Sequence, residues 1–346
     1  MACKILILGA SYGSLLGTKL LMAGHDVTLV CRRQTADLIN SEGTEVRIKL
    51  KGEDEHRAIC SNDLPGRLTA CTPQDIIASG YDLVGLAMQE PQYAHHSIRT
   101  VLIRIAEERI PCLSIMNMPP LTFLKRIPGL DTSKLGASYT DPTVWDRFDA
   151  DLMTLCSPDP QAFRPPEEKA NVLHVGLPTN LKAAQFGDAK ANEILQQLED
   201  DIAAVRLDGN DVPVKLRVYE SLFVPLAKWS MLLTGNYRCI TRAESRCIRD
   251  AVHGDLTKSE SIFAFVNELV QRLGADPADG VPFEKYAKAA ESLLKPSSVA
   301  RAVASGAPFI ERVDVLVQLI ARDLGISNPE IDETVSIVDD RLDDST

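Results

Sequence analysis

The chain has 346 residues, 45% of them hydrophobic, 25% charged and 5% aromatic, with a net charge of -11. That length suits two domains, each able to bury its own core. The acidic balance excludes nucleic acid as the main partner, because a phosphate backbone needs a basic face. No apolar run approaches the roughly 18 residues of a bilayer span, so no membrane association is expected. The opening Met-Ala-Cys-Lys enters a strand pattern at once, unlike a signal peptide, and a cytoplasmic protein is expected.

Residues 4–8 form a short apolar run, followed by a glycine loop and then by helical spacing of Leu15, Leu16, Leu20 and Leu21 up to Gly24. Residues 26–31 (D-V-T-L-V-C) are β-rich and apolar, as a strand buried on both faces should be. The result is a β-α-β unit of nucleotide-binding size. Further strands are expected at 45–50, 68–71, 82–87, 111–116 and 135–139, with helices at 72–79 and 94–108. Such alternation implies a Rossmann-type, doubly wound, mostly parallel sheet. Residues 156–171, rich in proline, read as loop. From about residue 211 strand signals fade, and helices are expected at 215–233, 242–253, 260–273, 283–294 and 310–324. The expected organisation is α/β, with a dinucleotide-binding domain at 1–200 followed by an all-helical domain at 201–346. Residues 339–346 read as a frayed acidic tail.

Eight cysteines (Cys3, Cys31, Cys60, Cys71, Cys112, Cys156, Cys239 and Cys247) form no C-x-x-C pair and are expected as free thiols. His95 and His96 lack a third ligand at usable spacing; a solvated helix start is expected, and no metal.

The glycine loop carries the first chemistry. Gly9 permits a tight turn after the strand, and Ser11 stands where G-x-G-x-x-G places its second glycine. Gly13 and Gly17 permit helix-to-strand packing, and Tyr12 lies beside the helix start, where free N–H groups favour phosphate. The second strand ends in Cys31-Arg32-Arg33 with no acidic residue to hold a ribose 2′-hydroxyl. Two guanidiniums there suit a 2′-phosphate, so NADP(H) is expected. A tight turn that binds nothing, and two solvated arginines, is the plainer alternative.

The stretch K-I-L-I-L-G-A-S-Y-G-S-L-L-G, together with A-G-H-D-V-T-L-V-C-R, resembles the opening of the ketopantoate reductase (2-dehydropantoate 2-reductase) family. The resemblance continues at I-M-N-M, at A-K-W-S-M-L-L-T-G-N and at P-S-S-V-A-R-A-V-A-S-G-A-P-F-I-E-R-V-D. It implies NADPH-dependent reduction of a 2-oxo acid, and a helical C-terminal domain like that of 6-phosphogluconate dehydrogenase. By the same resemblance Lys228 matches the catalytic lysine and Glu311 its acidic partner. Asn236 and Ser298 match substrate-binding positions, Asn117 lies beside the nicotinamide and Gln89 occupies a cofactor-contacting position. Lys228 stands in an apolar helical pattern, where desolvation favours loss of a proton.

Departures are equally specific. The loop is one residue shorter than the family's; Leu232 and Lys295 replace asparagines, Gln89 replaces a basic residue, and Met118-Pro119-Pro120 replaces a glycine-containing turn. A small carbonyl substrate is expected, with its identity open and with monomer and homodimer both allowed. An imine or opine-type dehydrogenase and a non-catalytic NADP(H)-binding scaffold are the alternatives.

Overall fold

The computed structural model describes residues 2–344 and divides into two compact units. The first comprises the described residues up to Met88, together with Gln92–Phe123 and Thr143–Glu220. Its eight-stranded sheet contains β1 (Lys4–Leu8), β2 (Asp26–Val30), β3 (Leu68–Cys71), β4 (Leu83–Leu86), β5 (Cys112–Ile115), β6 (Met153–Ser157), β7 (Leu181–Ala184) and β8 (Leu216–Tyr219). Their spatial order is β8-β7-β6-β5-β4-β1-β2-β3. All neighbours run parallel except β6 and β7.

The interior strands β4, β5 and β6 are buried at every position, which explains their unbroken small and apolar sequences L-V-G-L, C-L-S-I and M-T-L-C-S. Between β1 and β2 the chain forms α1 (Gly13–Met22), which is buried from Gly13 to Leu21. Longer helices that follow in this unit are α2 (Arg33–Glu42), α3 (His96–Glu107) and α4 (Ala189–Ala204). The order reverses at β1, which has β2 on one side and β4 on the other. In an open α/β sheet that reversal leaves a ligand crevice at the strands' carboxyl ends.

Several expectations are corrected. Residues 45–49 do form a strand, but in a separate four-stranded sheet with His56–Cys60, Gln161–Phe163 and Val172–Leu177. Residues 135–139, expected as a strand, instead follow and form short 3-10 turns. The main sheet's sixth position is filled by β6, partly within the expected loop. Residues 72–79 are turn and irregular chain, consistent with Pro73 breaking the pattern. Residues 215–219, expected as helix, are largely the edge strand β8, and the expected division at residue 200 falls inside α4.

The second unit comprises Gln89–Pro91, Leu124–Pro142 and the residues from Ser221 onward. It is helical, with α5 (Ile248–His253), α6 (Leu256–Arg272), α7 (Phe283–Ala290), α8 (Ser298–Ala304), α9 (Val313–Asp323) and α10 (Pro329–Asp343). Residues 339–343, expected to fray, continue α10, which Asn328 caps and Pro329 opens. Ser345 and Thr346 lie outside the described residues. No helix among the described residues is long and apolar enough to cross a membrane.

Candidate functional site

In the first unit the site grows from the end of β1. Gly9 has φ +105°, and its N–H donates to the Val30 carbonyl at 3.0 Å. A Cβ there would lie 2.6 Å from the Ala87 oxygen and 2.7 Å from Met88 Cγ, so only glycine lets the chain turn between the ends of β2 and β4. Gly13 serves packing instead, since a Cβ would meet Ile7 Cγ2 at 2.6 Å, and its absence lets α1 settle onto β1. The Ser14 hydroxyl donates to the Ala10 carbonyl. Among the described residues no acceptor meets the N–H groups of exposed Ser11, of Tyr12 or of Gly13. They stand at the positive end of a ten-residue helix, an arrangement that receives phosphate. The loop therefore presents backbone N–H groups that could hold a phosphate.

Tyr12 is half-buried, and its hydroxyl donates to the Pro160 carbonyl at 2.8 Å. Burial pushes its phenol well above the ordinary range. At the end of β2 the two arginines have separate fates. Arg33 makes an exposed ion pair with Asp75 at 2.8 Å, and Thr72 Oγ1 donates to the same carboxylate. The threonine first, and then the arginine, hold the Asp75 carboxyl below its usual range. Arg32 is exposed and makes no ion pair among the described residues. Asn117, half-buried, lies two residues beyond β5 at the same carboxyl edge.

In the second unit Lys228 begins a helical segment of changing pitch. A 3-10 turn (Val224–Ala227) leads into an α turn (Lys228–Met231), then a π turn (Leu232–Asn236) and a second 3-10 turn (Tyr237–Cys239). A π turn absorbs one extra residue. Asn236 stands eight residues after Lys228, an interval that thus acts as about seven on a regular helix, the spacing that returns to one face. Exposure agrees: Lys228, Met231 and Asn236 are half-buried, while Leu232, Leu233, Thr234 and Gly235 are buried.

The end of this segment gathers the other candidates. Ser297 Oγ donates to the Asn236 carbonyl at 2.7 Å and caps α8, whose first residue is Ser298. The Tyr237 hydroxyl donates to the Glu311 carbonyl and accepts from the Val313 N–H at 2.9 Å. Glu311 is only 4% exposed, and its carboxylate accepts from the Glu90 N–H at 3.3 Å. Glu90 is itself buried, its carboxylate accepting from both the N–H and the hydroxyl of Thr140. Burial raises the Glu90 carboxyl above its usual range, and the Thr140 bonds oppose that rise. A cavity of about 460 Å³, lined by residues including Phe223, Ala227, Asp276 and Pro282, contains none of the candidates.

Residues 5–88 match the family model described as ketopantoate reductase PanE/ApbA. Solved structures extend the likeness over the whole fold. The 2-dehydropantoate 2-reductase of Methylococcus capsulatus superposes with a TM-score of 0.67 at 12% identity, covering 97% of this chain and 95% of that one. Over residues 5–88 the chain is thus similar to the ketopantoate reductases. D-mandelate dehydrogenase in complex with NADH gives 0.60 at 14% identity, with 99% of each chain covered. The dimeric ketopantoate reductase of Staphylococcus aureus gives 0.62 at 10%, covering 99% of this chain and all of that one. No curated protein matches by sequence at a significant level. The ketopantoate reductase-like fold is thus shared where sequence identity is low.

The structure gathers Gly9, Ser11, Tyr12, Gly13, Arg32 and Asn117 along one edge of the first unit's sheet. It also links Asn236, Ser298 and Glu311 to the segment that begins at Lys228. Arg33 is drawn off to Asp75, and Gln89 is exposed and grouped with the second unit. Sequence reasoning missed Glu90, Thr140, Tyr237 and Ser297, which hold Glu311 and Asn236 in place. Their pairings span between 50 and 221 residues, and no local pattern encodes them. His95 caps α3 through its ring, in agreement with a helix start, and no metal-ligating cluster occurs among the described residues.

Proposed function

We propose that the protein is an NADPH-dependent reductase of a 2-oxo acid. The observation that carries this reading is the edge of the parallel sheet, where a backbone crevice that only glycine can form adjoins Arg32. The strand itself ends in Cys31-Arg32-Arg33 with no acidic residue to accept from a ribose 2′-hydroxyl, and the Asp75 carboxylate nearby is taken by Arg33 and Thr72, so a 2′-phosphate with Arg32 as its cation is the better fit. The cofactor, when bound, supplies the hydride that the carbonyl carbon receives.

The protein's own groups supply the rest. Lys228 donates the proton that the carbonyl oxygen takes up, from the start of a helix whose neighbouring turns are buried. Asn236 and Ser298 hold the substrate carboxylate by hydrogen bonds. Glu311, fixed through its own carbonyl by Tyr237 and through its side chain by Glu90, orients the lysine or the substrate. D-mandelate is a 2-hydroxy acid with an aromatic substituent, so the solved dehydrogenase named for it supports an apolar substrate as readily as ketopantoate. Leu232, standing where the family has asparagine, favours the apolar choice. An assembly of two chains is part of the proposal, supported by the dimeric relative.

The test is NADPH oxidation across a panel of 2-oxo acids, with and without an added amine. Lys228→Ala is expected to lower kcat by about 100-fold or more while NADPH affinity changes less than twofold. Turnover in that variant equal to wild type removes the lysine from the mechanism. Oxidation that requires the amine replaces the reading with imine reduction.

A further inference from the structure

After β6 the chain leaves the main sheet through a segment containing Pro158, Pro160, Pro165 and Pro166. Part of it is anchored, because Gln161–Phe163 pairs antiparallel with Val172–Leu177 in the small sheet. That anchoring delivers the next residue, Arg164, to the glycine loop. Arg164 Nη2 donates to the Ala10 carbonyl at 2.9 Å, and the Pro160 carbonyl of the same segment receives the Tyr12 hydroxyl. The loop is therefore tied at two points to chain about 150 residues away.

The guanidinium of Arg164 is half-buried and stands near Cys31 and Arg32 at the end of β2. Burial disfavours its protonated form; Cys31 opposes that, and the like charge of Arg32 adds to it in smaller measure. Among the described residues neither Arg32 nor Arg164 has a carboxylate at ion-pair distance, although Arg33 next door is paired with Asp75. A carbonyl alone does not balance a half-buried cation. Arg164 is held on the glycine loop at Ala10, and the Gly9 N–H ties that loop to Val30, two residues before Arg32; in a protein of net charge -11 the two guanidiniums form a local positive site for an anion.

We propose that Arg164 is a specificity-determining residue that joins Arg32 in holding the 2′-phosphate of the dinucleotide. The assignment rests on the NADPH reading above and adds a residue from a different part of the chain. Guanidinium forks suit a phosphate's geminal oxygens better than an ammonium does, and two of them discriminate NADPH from NADH more strongly than one.

The experiment titrates the full chain with NADPH and with NADH, following tryptophan and nucleotide fluorescence, in wild type, Arg164→Met, Arg164→Lys and Arg32→Met. Arg164→Met is expected to weaken NADPH roughly tenfold or more and NADH less than twofold. Arg164→Lys should fall between that variant and wild type. Competition by 2′,5′-ADP should weaken in parallel with NADPH. Equal loss of both nucleotides in Arg164→Met places the side chain on the loop or the diphosphate and overturns the 2′-phosphate assignment, while the NADPH reading survives. A wild type that prefers NADH, or binds neither nucleotide, overturns both. Should Arg164→Met lose its fold by circular dichroism, Arg164→Lys decides: an unchanged NADPH-to-NADH ratio overturns the assignment, and a reduced ratio supports it.

Discussion

Lys19 stands on α1 among leucines, only 2% exposed, and its ammonium donates to the Pro213 carbonyl at 3.1 Å and the Val212 carbonyl at 3.4 Å. Burial first, and then the like charge of Lys215, lower its pKa to about 7, with Asp211 opposing. The sign of the stability effect follows. Below pH 7 the lysine is protonated both folded and unfolded, and the cost of burying the ammonium is present in full. Between pH 7 and about 10.5 the unfolded chain binds the extra proton, so this group makes stability rise with pH. Lys19→Met is therefore expected to stabilise the fold by on the order of 2 kcal/mol at pH 6, after allowing for the two carbonyls it leaves unpartnered. The gain should shrink by pH 9. Urea midpoints of both proteins at the two pH values check this, and parallel pH dependence would refute it. Leu15, Leu16, Leu20 and Leu21 were legible as the buried face of this helix, and all four are buried. The burial of Lys19 was not, because its acceptors lie nearly two hundred residues downstream.

At the scale of elements, the strands that sequence revealed were those with short runs of mostly apolar and β-branched residues, β1 to β5. The misread ones show tertiary context overriding propensity. L-G-A-S-Y, residues 135–139, has apolar ends but forms 3-10 turns, and L-R-V-Y of β8 follows helical spacing yet pairs with β7. The π turn was equally invisible, although it sets the faces of Lys228 and Asn236. Gly235 lies inside it, and a Cβ there would come 2.1 Å from the Tyr286 hydroxyl. That hydroxyl donates to the Met231 carbonyl at 3.0 Å, and its ring stacks on Phe263 at 5.6 Å, so the tyrosine has little freedom to withdraw. Gly235→Ala is expected to cost about 2 kcal/mol of stability. Adding Tyr286→Phe removes the colliding atom, so the double variant should be more stable than the sum of the two single losses implies. Strict additivity in thermal or urea unfolding would show that the contact does not restrain this turn.

For the whole molecule, the two-unit organisation and its α/β-then-helical order were legible from the fading of strand signals, but the assignment of segments was not. A sequence reading divides a chain once, whereas Gln89–Pro91 and Leu124–Pro142 belong with the residues after Ser221. Their composition does not announce this; their partners do. The Glu90 N–H reaches the Glu311 carboxylate, Thr140 encloses the Glu90 carboxylate, and Lys134 pairs with Asp323 of α9. The exposed ion pair contributes little, but loss of the buried bonds takes the Glu90 N–H from the Glu311 carboxylate and both Thr140 donors from the Glu90 carboxylate. A fragment starting at Ser221 holds every helix from α5 to α10 yet lacks these three partners. It should therefore retain helical circular dichroism without a cooperative thermal transition, and its amide NMR spectrum should be poorly dispersed. The full chain carrying Thr140→Val is the milder version. It keeps the segment but removes one donor to a buried carboxylate, at an expected cost of about 1–2 kcal/mol. A fragment that unfolds cooperatively, together with a Thr140→Val chain as stable as wild type, would mean that the helices after Ser221 form their core without help from the earlier chain.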